Sequence, residues 1–473
     1  MKKTSVLILA IFFGFLSYAQ QSSNVNYKQY FTTETMRVDY FHTGTSTEEH
    51  FSLDRILNDG AWAGSETVLI DELNRGLYFY KITDTLTNTL LYSRGFASVF
   101  GEWQSIGDPS WGTFHESLRF PWPKLPVRLT IEKRDAKNNF AVIWSLVIDP
   151  KSRIVNPSVL KSPYKTFPFI ENGKAANHVD IVILGDGYTA AEMAKFHKDV
   201  ATLTDELFTV EPFKSRKADF NVRAVETPSA TSGVNKPHPG VFSRTPLSLS
   251  YGAFDSERYA LSYDNRTIRD VAASVLYDYM FILINERTYG GGGIFNLYST
   301  VAADNKFSRY IFVHEFGHSF AALADEYYTS DVSYQTPAIT VEPWEPNVTA
   351  LLDPANLKWK ELVKPGTPIP TPWSKTEFDN FSFGIQKERR ALRAANVPEE
   401  QMEALFEREK KASLEMFGKN KYKDAAGAFE GGNYMQFGIY RSALDCIMFT
   451  RNKQAFCPAC TKAISEVIDM YAK

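Results

Sequence analysis

The stretch Tyr310-Ile311-Phe312-Val313-His314-Glu315-Phe316-Gly317-His318-Ser319-Phe320 sets two histidines four residues apart in an otherwise apolar run. On a helix, residues four apart share a face, so both imidazoles can point at one cation. Glu315 stands beside them, within reach of a water on that cation. Zinc held by such nitrogens with one position open lowers the pKa of its water to about 7. Glu315 is then the residue expected to take that water's proton as general base. With eight histidines in 473 residues, chance produces such a pentapeptide on the order of once in a hundred chains of this composition.

No histidine follows His318. A third ligand further along is therefore a carboxylate or a cysteine, and Asp325 and Glu326 are nearest. In a continuous helix Asp325 would share the histidines' face but stand about 10 Å further along the axis. Coordination by Asp325 needs the chain to turn between Ala321 and Ala324, where no glycine eases a turn. Asp325 is the expected third ligand, and Glu326 is expected to support the site or a turn. The alternative leaves Asp325 behind the ligands and brings in a distant carboxylate.

Working outward, Gly290-Gly291-Gly292-Gly293-Ile294 reads as a loop entering an edge strand. Gly292, Gly293 and Ile294 are candidates to bind an extended substrate through main-chain hydrogen bonds. Earlier runs read as buried strands: Val179 to Leu184, Phe220 to Val225 and Tyr279 to Asn285. Between the first two, Thr189 can cap a helix running through Phe196, Val200, Leu203 and Leu207. Strands alternating with helices predict a three-layer α/β domain over residues 176–473. Residues 387–424, rich in Lys, Arg and Glu at helical spacing, predict an inserted helical pair. Near the end stand Cys446, Met448, Cys457 and Cys460. Three cysteines are too few for a closed Cys₄ zinc site. One disulfide, from Cys446 to Cys457 or Cys460, plus one free thiol is expected.

The first third of the chain reads differently. Met36 to Phe41, Leu77 to Ile82, Val127 to Glu132 and Phe140 to Ile148 alternate with period two and predict an all-β sandwich over residues 20–150. A proline-containing linker at 151–175 follows. Before it, Lys2, Lys3, the apolar run Ser5 to Leu16, and Ser17-Tyr18-Ala19 predict a signal peptide over 1–19. Its removal takes the formal net charge from −3 to −5. Export to a periplasmic or extracellular space follows. No basic field recruits nucleic acid, and no membrane span is expected.

Several motifs together resemble one family, the IgA-peptidase family of zinc metallopeptidases. They are Val182 to Thr189, Glu211-Pro212-Phe213, Phe220-Asn221-Val222, Gly290 to Gly293, His314 to Tyr327, Glu430-Gly431, Tyr440-Arg441, and Cys446-Ile447-Met448 through Cys460. The resemblance covers most of the chain from about residue 176. It implies an exported endopeptidase of metzincin-like fold, with Zn²⁺ on His314 and His318, Glu315 as base, and a protein or peptide substrate. It also implies that Met448 forms a methionine turn under the metal. Tyr440 or Tyr327 would stabilise the oxyanion, on side-chain type and nearness to these motifs. Two other readings are a binding protein with a degenerate peptidase domain and a zinc hydrolase acting on non-peptide substrates.

Overall fold

The computed structural model describes residues 25–330, 332, 339–452 and 455–472. The segment read as a signal peptide lies outside them. Alternation from Phe31 to Ile148 builds two four-stranded sheets. One orders Gly112–Pro123, Phe31–Gly44, Glu49–Ala61 and Val155–Val159; the other orders Leu90–Phe96, Tyr78–Asp84, Val127–Arg134 and Phe140–Ile148. Every second side chain turns inward, so Met36, Val38 and Tyr40 meet Tyr80, Ile82, Leu129 and Ile131 in one core.

Residues 151–175 are more than a linker. Val155–Val159 runs parallel to Glu49–Ala61 at the edge of the first sheet. Thr166–Ile170 runs antiparallel to Phe220–Val225 at the edge of the next one. The connector is hydrogen-bonded into both halves of the molecule.

The second half is mixed α/β. Its six-stranded sheet orders Gly291–Ile294, Tyr298–Ala302, Tyr279–Ile284, Val179–Asp186, Phe220–Val225 and Thr166–Ile170. The four middle strands are parallel and the two edges antiparallel. Val179–Asp186 and Tyr279–Ile284 are buried along their whole length, which is why they read as unbroken apolar runs. Ile181, Ile183, Phe281 and Leu283 face helices Met193–Leu207, Ser308–Ala321 and Pro458–Tyr471. Val182, Leu184, Met280 and Ile282 face the other way, toward helix Asn265–Ala272. Thr189 and Glu192 close a capping box at the entry to Met193–Leu207.

The helical pair is longer than its charge pattern indicates. It comprises Lys375–Ala394 and Glu399–Gly418. Its first turns bury Asp379, Ser382 and Gln386 beside Phe378 and Ile385, so no clean apolar spacing marks the start. The pair is built into the second half: Phe378, Met402, Leu405, Phe406 and Phe417 belong to the core that holds the Ser308–Ala321 helix.

Buried arginines bind the two halves together. Arg37 Nη1 meets Asp59 Oδ1 at 2.6 Å, and the same guanidinium pairs with Asp270 of the second half. Arg119 Nη1 donates to the Tyr277 carbonyl at 3.0 Å, with its guanidinium 3.7 Å above the Tyr277 ring. Arg75 Nη1 donates to the Ala463 carbonyl at 2.9 Å and approaches that of Ala321 at 3.4 Å. Among the described residues, no helix is long and apolar enough to cross a membrane.

Candidate metal centre

Helix Ser308–Ala321 is anchored by its aromatic residues. Phe312 stacks on Phe281 of the sheet at 3.9 Å, and Phe316 and Phe320 pack in the same core. This fixes the opposite face, where His314 and His318 stand one turn apart. The His314 Nδ1–H donates to the Ile447 carbonyl at 2.9 Å, and the His318 Nδ1–H donates to the Leu323 carbonyl at 2.6 Å. A carbonyl can only accept, so each ring keeps its proton on Nδ1 and presents a lone pair on Nε2. The two Nε2 atoms lie 3.2 Å apart.

The chain brings Asp325 to the same point. The helix stops because Ala322 adopts the left-handed conformation (φ 58°, ψ 36°). The turn is made at an alanine, where the sequence offers no glycine. Ala322 and Leu323 return their N–H groups to the carbonyls of His318 and Gly317 at 3.0 and 3.3 Å. Asp325 Oδ1 then lies 3.0 Å from His314 Nε2 and 3.3 Å from His318 Nε2. Its other oxygen accepts a hydrogen bond from the Tyr434 hydroxyl at 2.5 Å. Oδ1 itself is buried and accepts no hydrogen bond.

The field here is that of a cation well. Burial would raise the Asp325 pKa, but His318 and His314 hold it well below the usual carboxylate range. Burial would lower that of His318, but Asp325 and Glu315 push it up to about 9, so its Nε2 lone pair is freed when a metal displaces the proton held there. Two imidazole lone pairs and an orphaned carboxylate oxygen aimed at one point fit a divalent metal in a nitrogen and oxygen site. A Glu315 oxygen lies within 4.8 Å of a ring nitrogen of each histidine. Burial raises the Glu315 pKa, against the histidines' pull.

A cleft of about 620 Å³ opens over this point. His314, Glu315, His318, Asp325 and Tyr327 line its floor, and Ser98 and Glu102 of the β-rich half line a wall. Gly291–Ile294 borders it as the edge strand. A Cβ at Gly293 would sit 2.4 Å from the Glu315 carbonyl oxygen, so only glycine permits this approach. Gly292 and Gly293 line the cleft, whereas the Ile294 side chain is buried in the core. On its outer side the Gly291 N–H donates to the Arg258 carbonyl at 3.2 Å.

Met448 lies under the helix, where its sulfur would stand 2.9 Å from a Cβ at Gly317, and its carbonyl accepts from the Glu326 N–H at 2.8 Å. Tyr440 is placed elsewhere. It pairs with Thr349 and Glu430 in a small sheet, and its neighbour Ile439 takes the face toward the cleft. The tyrosines at the centre are Tyr327, whose oxygen accepts from Arg258 Nη2 at 3.2 Å, and Tyr434. Tyr434 escaped the sequence reading. It occupies a tight hairpin turn with Asn433, both at positive φ, and only the asparagine is a turn signal.

The disulfide expectation is also corrected. All three cysteines are free, and Cys446 Sγ stands 3.9 Å from Cys460 Sγ. Glu326 reaches into the group instead, with Oε1 3.4 Å from Cys460 Sγ and 3.5 Å from Cys457 Sγ.

Two family models match this chain. One, described as IgA Peptidase M64, matches residues 167–468. The other, described as Peptidase M64 N-terminus, matches residues 26–145. A search of curated proteins gives no match.

Proposed function

Because this chain belongs to the IgA peptidase (M64) family and is a metallopeptidase, we propose that it is an exported, zinc-dependent endopeptidase. His314, His318 and Asp325 would hold the metal. The observation that carries this reading is the convergence of two imidazole lone pairs and the Asp325 oxygen within 3.0–3.3 Å, with no hydrogen-bond donor left for that oxygen. Zinc, when bound, supplies Lewis acidity toward the scissile carbonyl and the attacking water.

The remaining work belongs to the chain. Glu315 takes a proton from the attacking water and passes it to the leaving amine. Burial raises its pKa, which makes the protonated form a better store for the proton it later gives to the amine. The Ile447 and Leu323 carbonyls keep both histidines in the one tautomer that can ligate. Tyr327, with Arg258 on its oxygen, is positioned to donate to the developing oxyanion. Of Gly292, Gly293 and Ile294, Gly293 turns its main chain outward to an extended peptide, while the other two face Tyr298–Ala302. Lys2 to Ala19 would direct export.

The test is Glu315→Gln. Zinc content should stay at the wild-type level, while casein or mixed-peptide cleavage falls about 10²–10⁴-fold, the usual weight of a general base. Cleavage unaffected by the substitution would remove Glu315 from the reaction.

A further inference from the structure

Beneath the cleft floor lies a second group of ligating side chains. Glu326, Cys446, Cys457 and Cys460 are all buried, and each offers a ligand atom within 4.8 Å of the others. Their spacing is that of a coordination polyhedron. With zinc–sulfur bonds of about 2.3 Å and zinc–oxygen bonds of about 2.0 Å, a tetrahedral site has sulfur–sulfur edges of about 3.8 Å and sulfur–oxygen edges of about 3.5 Å. Here Cys446 and Cys460 are 3.9 Å apart, and Glu326 Oε1 is 3.5 and 3.4 Å from Cys457 and Cys460. A disulfide needs about 2.05 Å.

The surroundings are those of thiolate ligands. The Cys457 N–H points at Cys446 Sγ at 3.2 Å, and the Met448 N–H at 3.5 Å. Cys457 Sγ accepts from the Ser442 hydroxyl at 2.9 Å and from the Cys460 N–H at 3.5 Å, capping helix Pro458–Tyr471. Hydrogen bonds of this kind orient sulfur ligands and lower their basicity.

Glu326 supplies an independent sign of a cation site. It is fully buried, Oε1 accepts from Asn347 Nδ2 at 3.0 Å, and Oε2 accepts nothing. The nearby Arg441 does not pair with it in a salt bridge: its guanidinium donates to the carbonyls of Glu430, Gly431 and Leu444. A buried carboxylate in that place costs several kcal/mol unless it takes up a proton or a cation shares the space, and the three sulfurs around it suit a cation.

We propose that Cys446, Cys457, Cys460 and Glu326 form a second, structural zinc site of three sulfurs and one oxygen. Binding releases the thiol protons to solvent. All four positions are taken by protein, so the site holds shape rather than performing chemistry. It also explains a coincidence of sequence. Asp325 serves the cleft while Glu326, the next residue, serves the floor. Cys446 stands two residues before Met448 and one before Ile447, whose carbonyl orients His314. An ion at the second site would pin both segments, at Glu326 and at Cys446, that flank the first.

The experiment uses the full chain. Zinc per chain is measured by elemental analysis for wild type and for His314→Ala/His318→Ala, and both are then reconstituted with Co²⁺. About two equivalents in wild type, one in the double variant, and thiolate-to-cobalt charge-transfer absorption persisting in that variant are expected. Loss of that absorption alone in Cys457→Ser would assign the ligand. Cobalt binding with no thiolate absorption would overturn the proposal. So would an intact mass lower by two hydrogens than the reduced chain, which marks a disulfide. Neither result touches the cleft reading, which rests on different residues.

Discussion

Ala322 holds a conformation that an L-residue with a side chain adopts at a cost of about 1–2 kcal/mol. That cost is offset because the turn delivers Asp325 to the histidines. Ala322→Gly keeps the turn and relieves the strain, so it should stabilise the protein by about 0.5–1 kcal/mol in denaturant unfolding. A loss of stability there would mean the alanine methyl packs rather than strains. Asp325 can be weighed against its partner. Tyr434→Phe removes only the hydrogen bond to Oδ2 and should cost about 10–100-fold in zinc affinity, as lost supporting contacts do. Asp325→Ala should cost more, read by competition with a chelator of known affinity; equal affinities in that variant and wild type would place Asp325 outside the ligands. At this scale, His314, Glu315 and His318 were legible because helix geometry alone sets their spacing. The route to Asp325 was open only as a conditional, since nothing in Ala321-Ala322-Leu323 announces a turn. The face that Tyr440 takes was not legible, because a strand's two faces cannot be told apart when both neighbours, Ile439 and Arg441, are buried.

At the scale of elements, the signals that survived were those written in one segment. Thr189 and Glu192 form the expected helix start: the Thr189 N–H donates to Glu192 Oε2 at 2.8 Å, and the Ser232 hydroxyl to Oε1 at 2.9 Å. These bonds lower the Glu192 pKa from 4.5 to about 2. The folded value lies below the unfolded one, so the capping contribution is full above about pH 4.5 and lost as pH falls through about 2. Glu192→Gln should therefore destabilise by about 0.5–1 kcal/mol at pH 7, a modest figure for an exposed cap. The gap from wild type should close in acid unfolding below about pH 2; a gap constant with pH would assign the effect to packing. What was not legible needed two segments at once. The strands Val155–Val159 and Thr166–Ile170 hide among prolines and are defined by their partners. The buried polar face of Lys375–Ala394 looked like solvent until Tyr328 and Lys375 met Asp379, at 2.6 Å each.

At the scale of the molecule, the two halves are joined by buried charge. Arg37 is fully buried among Asp39, Asp59 and Asp270. Arg37→Met removes one cation from a network in which Arg55 still meets Asp39 and Asp270 at 2.7 and 3.0 Å and Arg119 still meets Asp59 at 2.8 Å, so it should destabilise by about 1–3 kcal/mol, measured by denaturant unfolding of the full chain. A change under about 1 kcal/mol would mean water replaces the guanidinium at that seam. The division into a β-rich and an α/β half could be read from the change of period near residue 150. The docking could not, because charges that look solvated in sequence are sealed only by the partner surface.

The wall of the cleft at Ser98 and Glu102 comes from one half of the chain and the reactive floor from the other. Part of the outline of the cleft and the ligand-bearing floor are thus encoded in separate lengths of the gene. Glu102→Ala should change the relative cleavage rates across a peptide mixture at unchanged zinc content; unchanged rates would mean that this wall does not touch substrate.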